Sequence, residues 1–354
     1  MHRRALSRRD LLKGSAALSL VAFAAPARAG APSAETITPQ LIAAAKKEGR
    51  VVWYTSADLR LAGVVRAAFE KKFPGVSLQV ERLGAERIFT RITQEYASGV
   101  HQVDAVNTGD AAQYLNWKAK GVLAPYVPED VARYIPAAHR DADGYFATVR
   151  SSLCIIAYNT ELVKRDEAPK SFADLLDPKW KGKIVKAHPG YSGTVITATY
   201  QMVRALGWPY FEKLARQQVL QILSATDTPN KLVLGERAVM ADGNEYNVLI
   251  LKGKGKPIEP VYATEGSTLI VQPSAIFKAA PHPNAARLFQ NYLFSVDAQR
   301  LFVDQGFMRS VHAQIKDPPG RTPLSAIKVW PDDPVGVQRQ SDEIKHRYSQ
   351  IFHV

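Results

Sequence analysis

Arg50-Val51-Val52-Trp53-Tyr54-Thr55-Ser56 is a short apolar run that ends in two hydroxyl residues. Its β-branched and aromatic side chains predict a buried strand followed by a polar loop. Apolar residues then recur at helical spacing from Leu61 to Phe69, and Pro74-Gly75 ends this helix before the next apolar stretch, residues 76–80. A strand, a helix and a strand in this order predict an α/β fold.

The same order continues along the chain, and polar residues follow the strands. Residues 86–98 have the pattern of a helix, and residues 103–106 that of a strand leading into Asn107-Thr108-Gly109-Asp110. In α/β sheets, ligands bind beyond the carboxyl ends of the strands. We therefore expect a ligand site where residues 55–56, 84–86 and 107–110 come together.

Two later segments extend this prediction. Residues 145–159 are almost all apolar or small, which indicates an extended segment long enough to run from one lobe to another. Tyr191-Ser192-Gly193-Thr194 precedes a helical pattern that ends at Gly207, so its hydroxyls and backbone N–H groups are placed to bind an anion. The alternative is an ordinary helix cap at Ser192. Tyr246 follows a short predicted strand and is expected to face the same cleft.

The first 29 residues have the pattern of a twin-arginine export signal. Ser7-Arg8-Arg9-Asp10-Leu11-Leu12-Lys13 precedes an uncharged run, residues 14–27, and a small-x-small site, Ala27-Arg28-Ala29. The run is shorter than the roughly 20 apolar residues of a spanning helix. The single cysteine, Cys154, is far from the cleavage site, so no lipid anchor is expected either. We expect cleavage near Ala29 and a soluble periplasmic protein.

The length, charge and cysteine content of the chain restrict its domain organisation and its possible partners. The formal net charge is +13, and removal of residues 1–29 takes away six basic residues and one acidic residue, which leaves +8. A mature chain of about 325 residues exceeds the size at which one core usually keeps growing, so two lobes are expected. A single cysteine excludes an intrachain disulfide. No uninterrupted basic run is present, so no nucleic-acid partner is expected.

The sequence contains no recognisable catalytic motif. Its eight histidines are scattered without the spacing of metal ligands, and Cys154 lies in an apolar run. Neither a Gly-x-Ser-x-Gly turn nor a phosphate-binding loop is present. We expect no enzymatic activity, no cofactor and no resident metal.

Seven short motifs are shared with one known family. They are Val52-Trp53-Tyr54-Thr55-Ser56, Phe69-Glu70-Lys71-Lys72-Phe73-Pro74-Gly75-Val76, Ala124-Pro125-Tyr126, Ile156-Ala157-Tyr158-Asn159-Thr160, Leu175-Leu176-Asp177-Pro178-Lys179-Trp180-Lys181-Gly182-Lys183, Tyr191-Ser192-Gly193-Thr194 and Pro281-His282-Pro283-Asn284-Ala285-Ala286. In this order they resemble the extracellular solute-binding proteins of bacterial ABC importers (family 1 type), most nearly the ferric-iron and organophosphate branch. The resemblance covers nearly all of the chain after residue 29.

The resemblance implies an α/β, two-lobed periplasmic-binding-protein fold of the class II type. Each lobe would be a central, mostly parallel sheet flanked by helices, and the ligand cleft between the lobes would close about a hinge. The expected lobes are residues 30–150 with 265–308, and residues 151–264 with 309–354. The implied partners are a small anionic solute and an ABC permease at the inner membrane, and the chain itself is expected to be a monomer.

Residue by residue, the resemblance favours an anion over bare iron. In ferric-binding members, two adjacent tyrosines, a His and a Glu hold iron, and a Ser-Gly-small helix start holds a partner anion. Ser192-Gly193-Thr194 matches that anion site, and Glu86 lies near the expected glutamate. Glu245-Tyr246 replaces the tyrosine pair, however, and residues 55–58 contain no His. The expected cargo is a phosphonate, a sugar phosphate, a carboxylate or an iron(III)-anion complex.

These considerations define a set of expected ligand-binding residues and leave alternatives open. The set is Tyr54, Thr55, Ser56, Glu86, Asn107, Arg150, Ser192, Gly193, Thr194, Glu245 and Tyr246. For Arg150, Glu86 and Glu245 the alternative is an ion pair or a solvated charge within the protein. For the whole protein, the alternative is a sensor of the same fold that presents its ligand to a receptor, and a remote one is a periplasmic enzyme.

Overall fold

The structure is a computed structural model that describes residues 30–354, so the predicted export signal lies outside the described residues. The helices are α1 (Pro39–Glu48), α2 (Leu59–Lys72), α3 (Ala85–Ala97), α4 (Ala111–Ala119), α5 (Glu129–Tyr134), α6 (Gly193–Leu206), α7 (Trp208–Ala215), α8 (Thr228–Val233), α9 (Glu245–Gly253), α10 (Pro283–Phe294), α11 (Val296–Arg300) and α12 (Pro334–Phe352). The strands are β1 (Arg50–Thr55), β2 (Ser77–Arg82), β3 (Ala105–Asn107), β4 (Leu123–Ala124), β5 (Ala147–Asn159), β6 (Ile184–Ala187), β7 (Leu220–Ile222), β8 (Val239–Asn244), β9 (Ile258–Val261), β10 (Ser267–Phe277) and β11 (Val329–Trp330).

One mixed sheet runs through the described chain, in the order β2-β1-β3-β10-β5-β8-β6-β7. At one end β2, β1 and β3 are parallel, and at the other end β8, β6 and β7 are parallel. We call these the first and the second strand group. The family resemblance implied a separate sheet for each lobe; instead, hydrogen bonds from β10 and β5 join both groups into one sheet.

The two central strands are long, antiparallel and buried. All 13 residues of β5 are buried, in agreement with the extended segment predicted for residues 145–159. β5 pairs with β10 over residues 147–154 and with β8 beyond, and β10 pairs with β3 near its own end. The register between β5 and β10 shifts at Gln272/Pro273, which indicates a β-bulge. The bulge lies between the two strand groups.

The first strand, β1, is buried on both faces, as its apolar run predicts. Trp53 packs on one side in a cluster with α2 and α10, where its ring lies 5.3 Å from that of Phe289. Tyr54 faces the other side and packs with Ile88 and Tyr114 from α3 and α4. Helices therefore cover both faces of the first strand group. Among residues 30–354, no helix combines the length and the apolar character that crossing a bilayer requires.

Most predicted elements of the first half are found within one or two residues. The helix predicted at residues 86–98 is α3, and the strand predicted at 103–106 is β3, shifted by one to two residues. The helix predicted after Ser192 is α6. Five helices were not predicted. They are α5, α7, α8, α9, which begins at Glu245 directly after β8, and the C-terminal helix α12.

Candidate functional site

A cavity of about 210 Å³ opens at the carboxyl ends of the parallel strands of both groups. Its wall comes from the loops that follow β1, β2 and β3, from the loops that follow β6, β7 and β8, and from the bulge on β10. The wall residues are Ser56, Arg82, Gly84, Ala85, Arg87, Gly109, Tyr191, Ser192, Gly193, Thr194, Leu223, Ser224, Thr226, Asp227, Asn244, Tyr246 and Gln272. This is the position at which α/β sheets bind ligands.

Within residues 30–354, three helices of nine or more residues begin at this wall. They are α3 after Gly84, α6 after Ser192 and α9 after Asn244. Gly84 has no side chain with which to cap α3, and the side chains of Ser192 and Asn244 accept no hydrogen bond from the first turns of α6 and α9. The N–H groups of the first turn and the positive end of the helix dipole make such positions favourable for anions.

The charge of the wall is net positive. Arg82 and Arg87 are its basic residues, and Asp227 is the one carboxylate among the wall residues of the described chain. The Arg82 Nε donates to the carbonyl oxygen of Ala57 at 3.2 Å, which holds its side chain at the end of β2. Arg87 is exposed and forms no ion pair with any other described residue. Its guanidinium is therefore available at the mouth of the cavity.

Gly193 brings the starts of three helices into contact. A Cβ atom added there would lie 2.8 Å from the Cβ of Asp110 and 2.9 Å from that of Ala85, so only glycine fits. This contact sets the first turn of α6 against the first residues of α3 and α4. The hydroxyls of Ser192 and Thr194 make no hydrogen bond to other residues in the part of the chain that the structure describes. Both remain available to a ligand.

Tyr246, Asn244 and Gln272 are buried polar residues of the wall. Burial and the Asp58 carboxylate raise the pKa of Tyr246 to about 12, so its phenol is a neutral hydrogen-bond donor. The Oδ1 atom of Asn244 is buried and has no hydrogen-bond partner among residues 30–354. The Oε1 atom of Gln272 accepts a hydrogen bond from Arg150 Nε at 2.9 Å. The wall thus offers both donors and acceptors.

Arg150 lies behind Gln272 and does not line the cavity. Its side chain is fully buried, and its Nη1 and Nη2 atoms have no hydrogen-bond partner within the described chain. Burial lowers the pKa of the guanidinium, while Tyr246 and Asp58 act in the opposite direction. Arginine stays protonated in proteins, so a positive charge without an ion-pair partner is buried close to the cavity.

Three predicted residues lie outside the wall because their side chains bind to the protein. The Tyr54 hydroxyl donates to Glu95 at 2.8 Å. The Thr55 hydroxyl accepts from the N–H of Ala57 at 3.1 Å. Asn107 donates to the carbonyl oxygens of Pro273, at 2.7 Å, and Gln272. Ser56, by contrast, lines the cavity and accepts from the N–H of Gly109 at 3.1 Å.

The two predicted glutamates adopt the alternative role and form ion pairs. Glu86 pairs with Lys345 at 2.6 Å and also accepts from Gln113. Glu245 is fully buried and pairs with Arg309 at 2.7 Å and with Arg321 at 2.7 Å. The neighbouring residue, Tyr246, lines the cavity. Of the first two side chains of α9, one therefore binds within the protein and the other faces the site.

Apart from residues 191–194, the sequence analysis missed seven polar residues of the wall, including Ser224 and Thr226 in the loop between β7 and α8. Arg82 and Arg87 flank the predicted loop at residues 84–86, and their charge next to that loop was a signal that could have identified them. Asn244 is the last residue of β8 and directly precedes α9, and Asp227 directly precedes α8. Neither helix was predicted. Gln272 reaches the wall because of the bulge on β10, which no sequence pattern indicates.

No group of three or more His, Cys, Asp or Glu side chains in residues 30–354 is arranged to hold a metal ion. The two glutamates predicted for the site, Glu86 and Glu245, are engaged with basic residues. Tyr246 is the one buried phenol on the wall of the described chain. The chemistry of the cavity is therefore that of hydroxyls, amides, backbone N–H groups, guanidinium groups and the carboxylate of Asp227.

Comparison with known proteins places this geometry in a family. A family model described as bacterial extracellular solute-binding protein matches residues 107–324. The chain belongs to the bacterial extracellular solute-binding proteins. Members of this family bind small-molecule solutes and serve ABC importers, and the family is one of binding proteins and not of enzymes.

Relatives of this solute-binding protein support the assignment. An uncharacterized protein of Haemophilus influenzae (strain Rd) is 27% identical over 272 residues, which are 74% of this chain and 78% of the relative. The solved structure of the periplasmic binding protein AfuA from Actinobacillus pleuropneumoniae, with exogenous fructose-6-phosphate bound, has a TM-score of 0.78 and 24% identity. It covers 86% of this chain and 99% of that one.

Iron-bound HitA from Pseudomonas aeruginosa has a TM-score of 0.72 and 19% identity, and covers 84% of this chain and 99% of that one. At these identities the solved structures establish the fold of the solute-binding protein, which is the α/β periplasmic-binding-protein fold. The sequence resemblance to this family and the predicted fold class are confirmed.

Proposed function

We propose that this protein captures a small anionic solute in the cavity and delivers it to the permease of an ABC importer. The solute is a phosphonate, a sugar phosphate, a carboxylate or an iron(III)-anion complex. Capture involves closure of two lobes, residues 30–150 with 265–308 and residues 151–264 with 309–354, about the central strands β5 and β10. The export signal directs the chain to the periplasm, where it acts as a monomer without nucleic acid and without catalytic turnover.

The observation that supports this proposal best is the convergence of positive potential on the cavity. The starts of α3, α6 and α9 meet there, and Arg82 and Arg87 add two formal charges against one from Asp227. Each helix terminus favours a negative charge by about 0.3–1 kcal/mol. An anion in this cavity gains from several such terms at once, whereas a cation would meet the same terms with the opposite sign.

The acceptors on the wall favour an anion that also carries hydroxyl or amino groups. Asn244 presents a buried Oδ1 atom without a protein partner, and leaving such an acceptor unsatisfied costs about 1–3 kcal/mol. Asp227 adds an exposed carboxylate at the same wall. A bare oxyanion has no donor for either group. A sugar phosphate or an aminoalkyl phosphonate satisfies both, and fructose-6-phosphate is the ligand named for AfuA.

The wall gives less support to an iron complex. Tyr246 is the one buried phenol on the described wall, and the two predicted glutamates, Glu86 and Glu245, are held by Lys345, Arg309 and Arg321. Iron would therefore have to enter with its own anionic ligands, as in an iron(III)-citrate complex. HitA, whose solved structure contains iron, shares the fold at 19% identity.

Closure requires a solute that touches both strand groups. Ser56, Arg82 and Gly109 come from the first group, and residues 191–194 and 244–246 come from the second. A solute shifts an equilibrium between open and closed forms only if its affinity for the two forms differs. One that bridges the wall from both sides meets this condition.

The proposal is tested by a thermal-shift screen of residues 30–354. Sugar phosphates, phosphonates, organic acids and ferric citrate are compared with uncharged counterparts such as the parent sugars. One anion class should raise the melting temperature, because a ligand that binds only the folded state stabilises it. If no anion does so, or if only the uncharged sugars do, the proposed solute is wrong.

A sensor that presents the same solute to a receptor would use the same cavity. The geometry of the cavity therefore does not favour sensor function over importer function. The genes beside this one discriminate between the two functions. Importer function predicts neighbouring permease and ATPase genes, and a sensor-kinase gene in their place would overturn it.

A further inference from the structure

The C-terminal helix α12 packs against helices of both strand groups. Val337 and Ile344 share one apolar cluster with Ala112 of α4 and with Ile196 and Tyr200 of α6. α4 follows β3 of the first strand group, and α6 follows β6 of the second. The helix therefore crosses from one group to the other, outside the cavity wall.

The end of α12 is anchored firmly to the second strand group. Tyr348 is fully buried, and its hydroxyl donates to Gln221 of β7 at 2.9 Å. Its ring lies against those of Phe211 and His188, with centroids 6.1 and 5.1 Å away. Ser349 adds a hydrogen bond to His188 at 3.2 Å. These contacts tie this end of the helix to the second group.

One ion pair joins α12 to the first strand group in the described part of the chain. The Nζ atom of Lys345 lies 2.6 Å from Glu86 Oε2, and both side chains are mostly buried. Glu86 is the second residue of α3, between Ala85 and Arg87, which both line the cavity. Gln113 of α4 also donates to Glu86 at 3.2 Å. The pair therefore connects the anchored helix to the cavity-lining start of α3.

We propose that α12 is a clasp that holds the two strand groups together, and that Lys345 is a positioning residue that keeps the start of α3 against the start of α6. The proposal rests on the proposed hinge closure. It assigns Glu86, which the sequence analysis placed among the ligand contacts, to the mechanism that sets the width of the cavity. Loss of the pair leaves the apolar contacts of α12 in place but removes its polar connection to α3.

The clasp is tested by a distance measurement without solute. Spin labels are attached at Gln79→Cys on β2 and Lys213→Cys on α7, two exposed positions on opposite strand groups. The native Cys154 is buried and should not react. Lys345→Met and Glu86→Gln should each increase the population of longer distances about fivefold, the effect of losing a pair of this kind. The melting temperature should stay close to that of the wild type.

Two controls distinguish the effect of losing the Lys345–Glu86 ion pair from a nonspecific loosening of the structure by mutation. Lys231→Met, which breaks an exposed pair with Glu236 in the second group, should leave the distances unchanged. The exchange Lys345→Glu with Glu86→Lys should restore the short distance, because the attraction returns with reversed polarity. Distances that match the wild type in both Lys345→Met and Glu86→Gln, or an exchange that fails to restore them, would overturn the clasp. Since no solute is present, a negative anion screen would refute the proposed solute and leave this result standing.

Discussion

Ser192 and Thr194 present hydroxyls to the cavity without protein partners, which separates them from ordinary capping residues. We expect Ser192→Ala and Thr194→Val each to weaken binding of the anion identified in the screen by roughly tenfold, the effect of one hydrogen bond to a charged group. Thr199→Val in the same helix is the matched control, because its buried hydroxyl also has no partner among the described residues but lies off the wall. Calorimetric titration measures all three, and equal affinities would remove the α6 start from the site.

Arg150 carries a buried charge that the described chain does not pair. Burying a charge without an ion-pair partner costs desolvation free energy, and an apolar side chain of similar size avoids that cost. We expect solute-free Arg150→Met to melt no lower than the wild type, while the rise in its melting temperature on adding the anion becomes smaller. Arg150→Lys keeps the charge and should retain more of that rise. A variant that melts far lower but binds the anion normally would make Arg150 a structural residue.

Sequence reasoning at the residue scale worked best where a local pattern carries the chemistry. Ser192-Gly193-Thr194 lies on the wall because a helix start is legible from its cap and the apolar spacing behind it. Tyr54 and Thr55 were assigned to the site from strand position alone, and their side chains turn to Glu95 and Ala57 instead. Tertiary contacts decide which polar side chains form hydrogen bonds within the protein. These contacts join distant segments, so no single stretch of sequence predicts them.

At the scale of elements, the start of α9 is fixed by a buried ionic cluster. Glu245 accepts from Arg309, Arg321 and Tyr262, and so ties α9 to the segment between α11 and β11 and to the residue that follows β9. We expect Glu245→Gln to lower the free energy of unfolding by about 3 kcal/mol, because it leaves buried guanidinium groups incompletely paired. Glu236→Gln breaks an exposed pair with Lys231 and should cost less than about 1 kcal/mol. Denaturant unfolding measures both, and similar losses would contradict the assignment.

Asp110, the N-cap of α4, makes stability depend on pH. Burial, followed by the charges of Glu86 and Asp332, raises its pKa from 3.8 to about 8, and Lys345 opposes this shift. The folded state then holds a proton that the unfolded chain has lost. The unfolding free energy should therefore fall as pH rises from about 4 to about 8, since the unfolded state binds fewer protons there.

Asp110→Asn tests this pH dependence. Asparagine keeps an acceptor for the N–H of Ala112 but cannot ionise. The variant should be more stable than the wild type at pH 8, and the difference should vanish near pH 4. Denaturant unfolding across this range measures the difference, and parallel stability curves for the two proteins would show that Asp110 does not titrate as described.

The elements that sequence analysis missed are those whose signals were weak or overlapped. α9 begins at Glu245, directly after the last residue of β8, so no loop separates the two elements. In α12 the buried residues Val337, Ile344 and Tyr348 are spaced by seven and four positions among many charged residues. That spacing is helical, and it was the signal from which α12 could have been predicted. The packing of α12 against both strand groups could not be predicted, because it depends on contacts between distant segments.

For the whole molecule, the predicted fold class is right and its internal division stays a prediction. The buried run at residues 145–159 correctly indicated a long central strand, because nearly continuous apolar sequence requires cover on both faces. The hydrogen bonding of β5 to β10 and β8, which merges both strand groups into one sheet, depends on pairing between distant segments. The proposed lobes therefore share their central strands, and their relative motion would have to bend β5 and β10.

The central claim is that the cavity binds a small anion through both strand groups. The most direct measurement is a calorimetric titration of residues 30–354 with a sugar phosphate or phosphonate from the screen, its uncharged counterpart, and ferric citrate. The account predicts saturable one-to-one binding of an anion, none of the uncharged counterpart, and loss of binding when Ser192→Ala and Thr194→Val are combined. Equal binding of the uncharged counterpart, or anion binding that the combined variant retains in full, would contradict it.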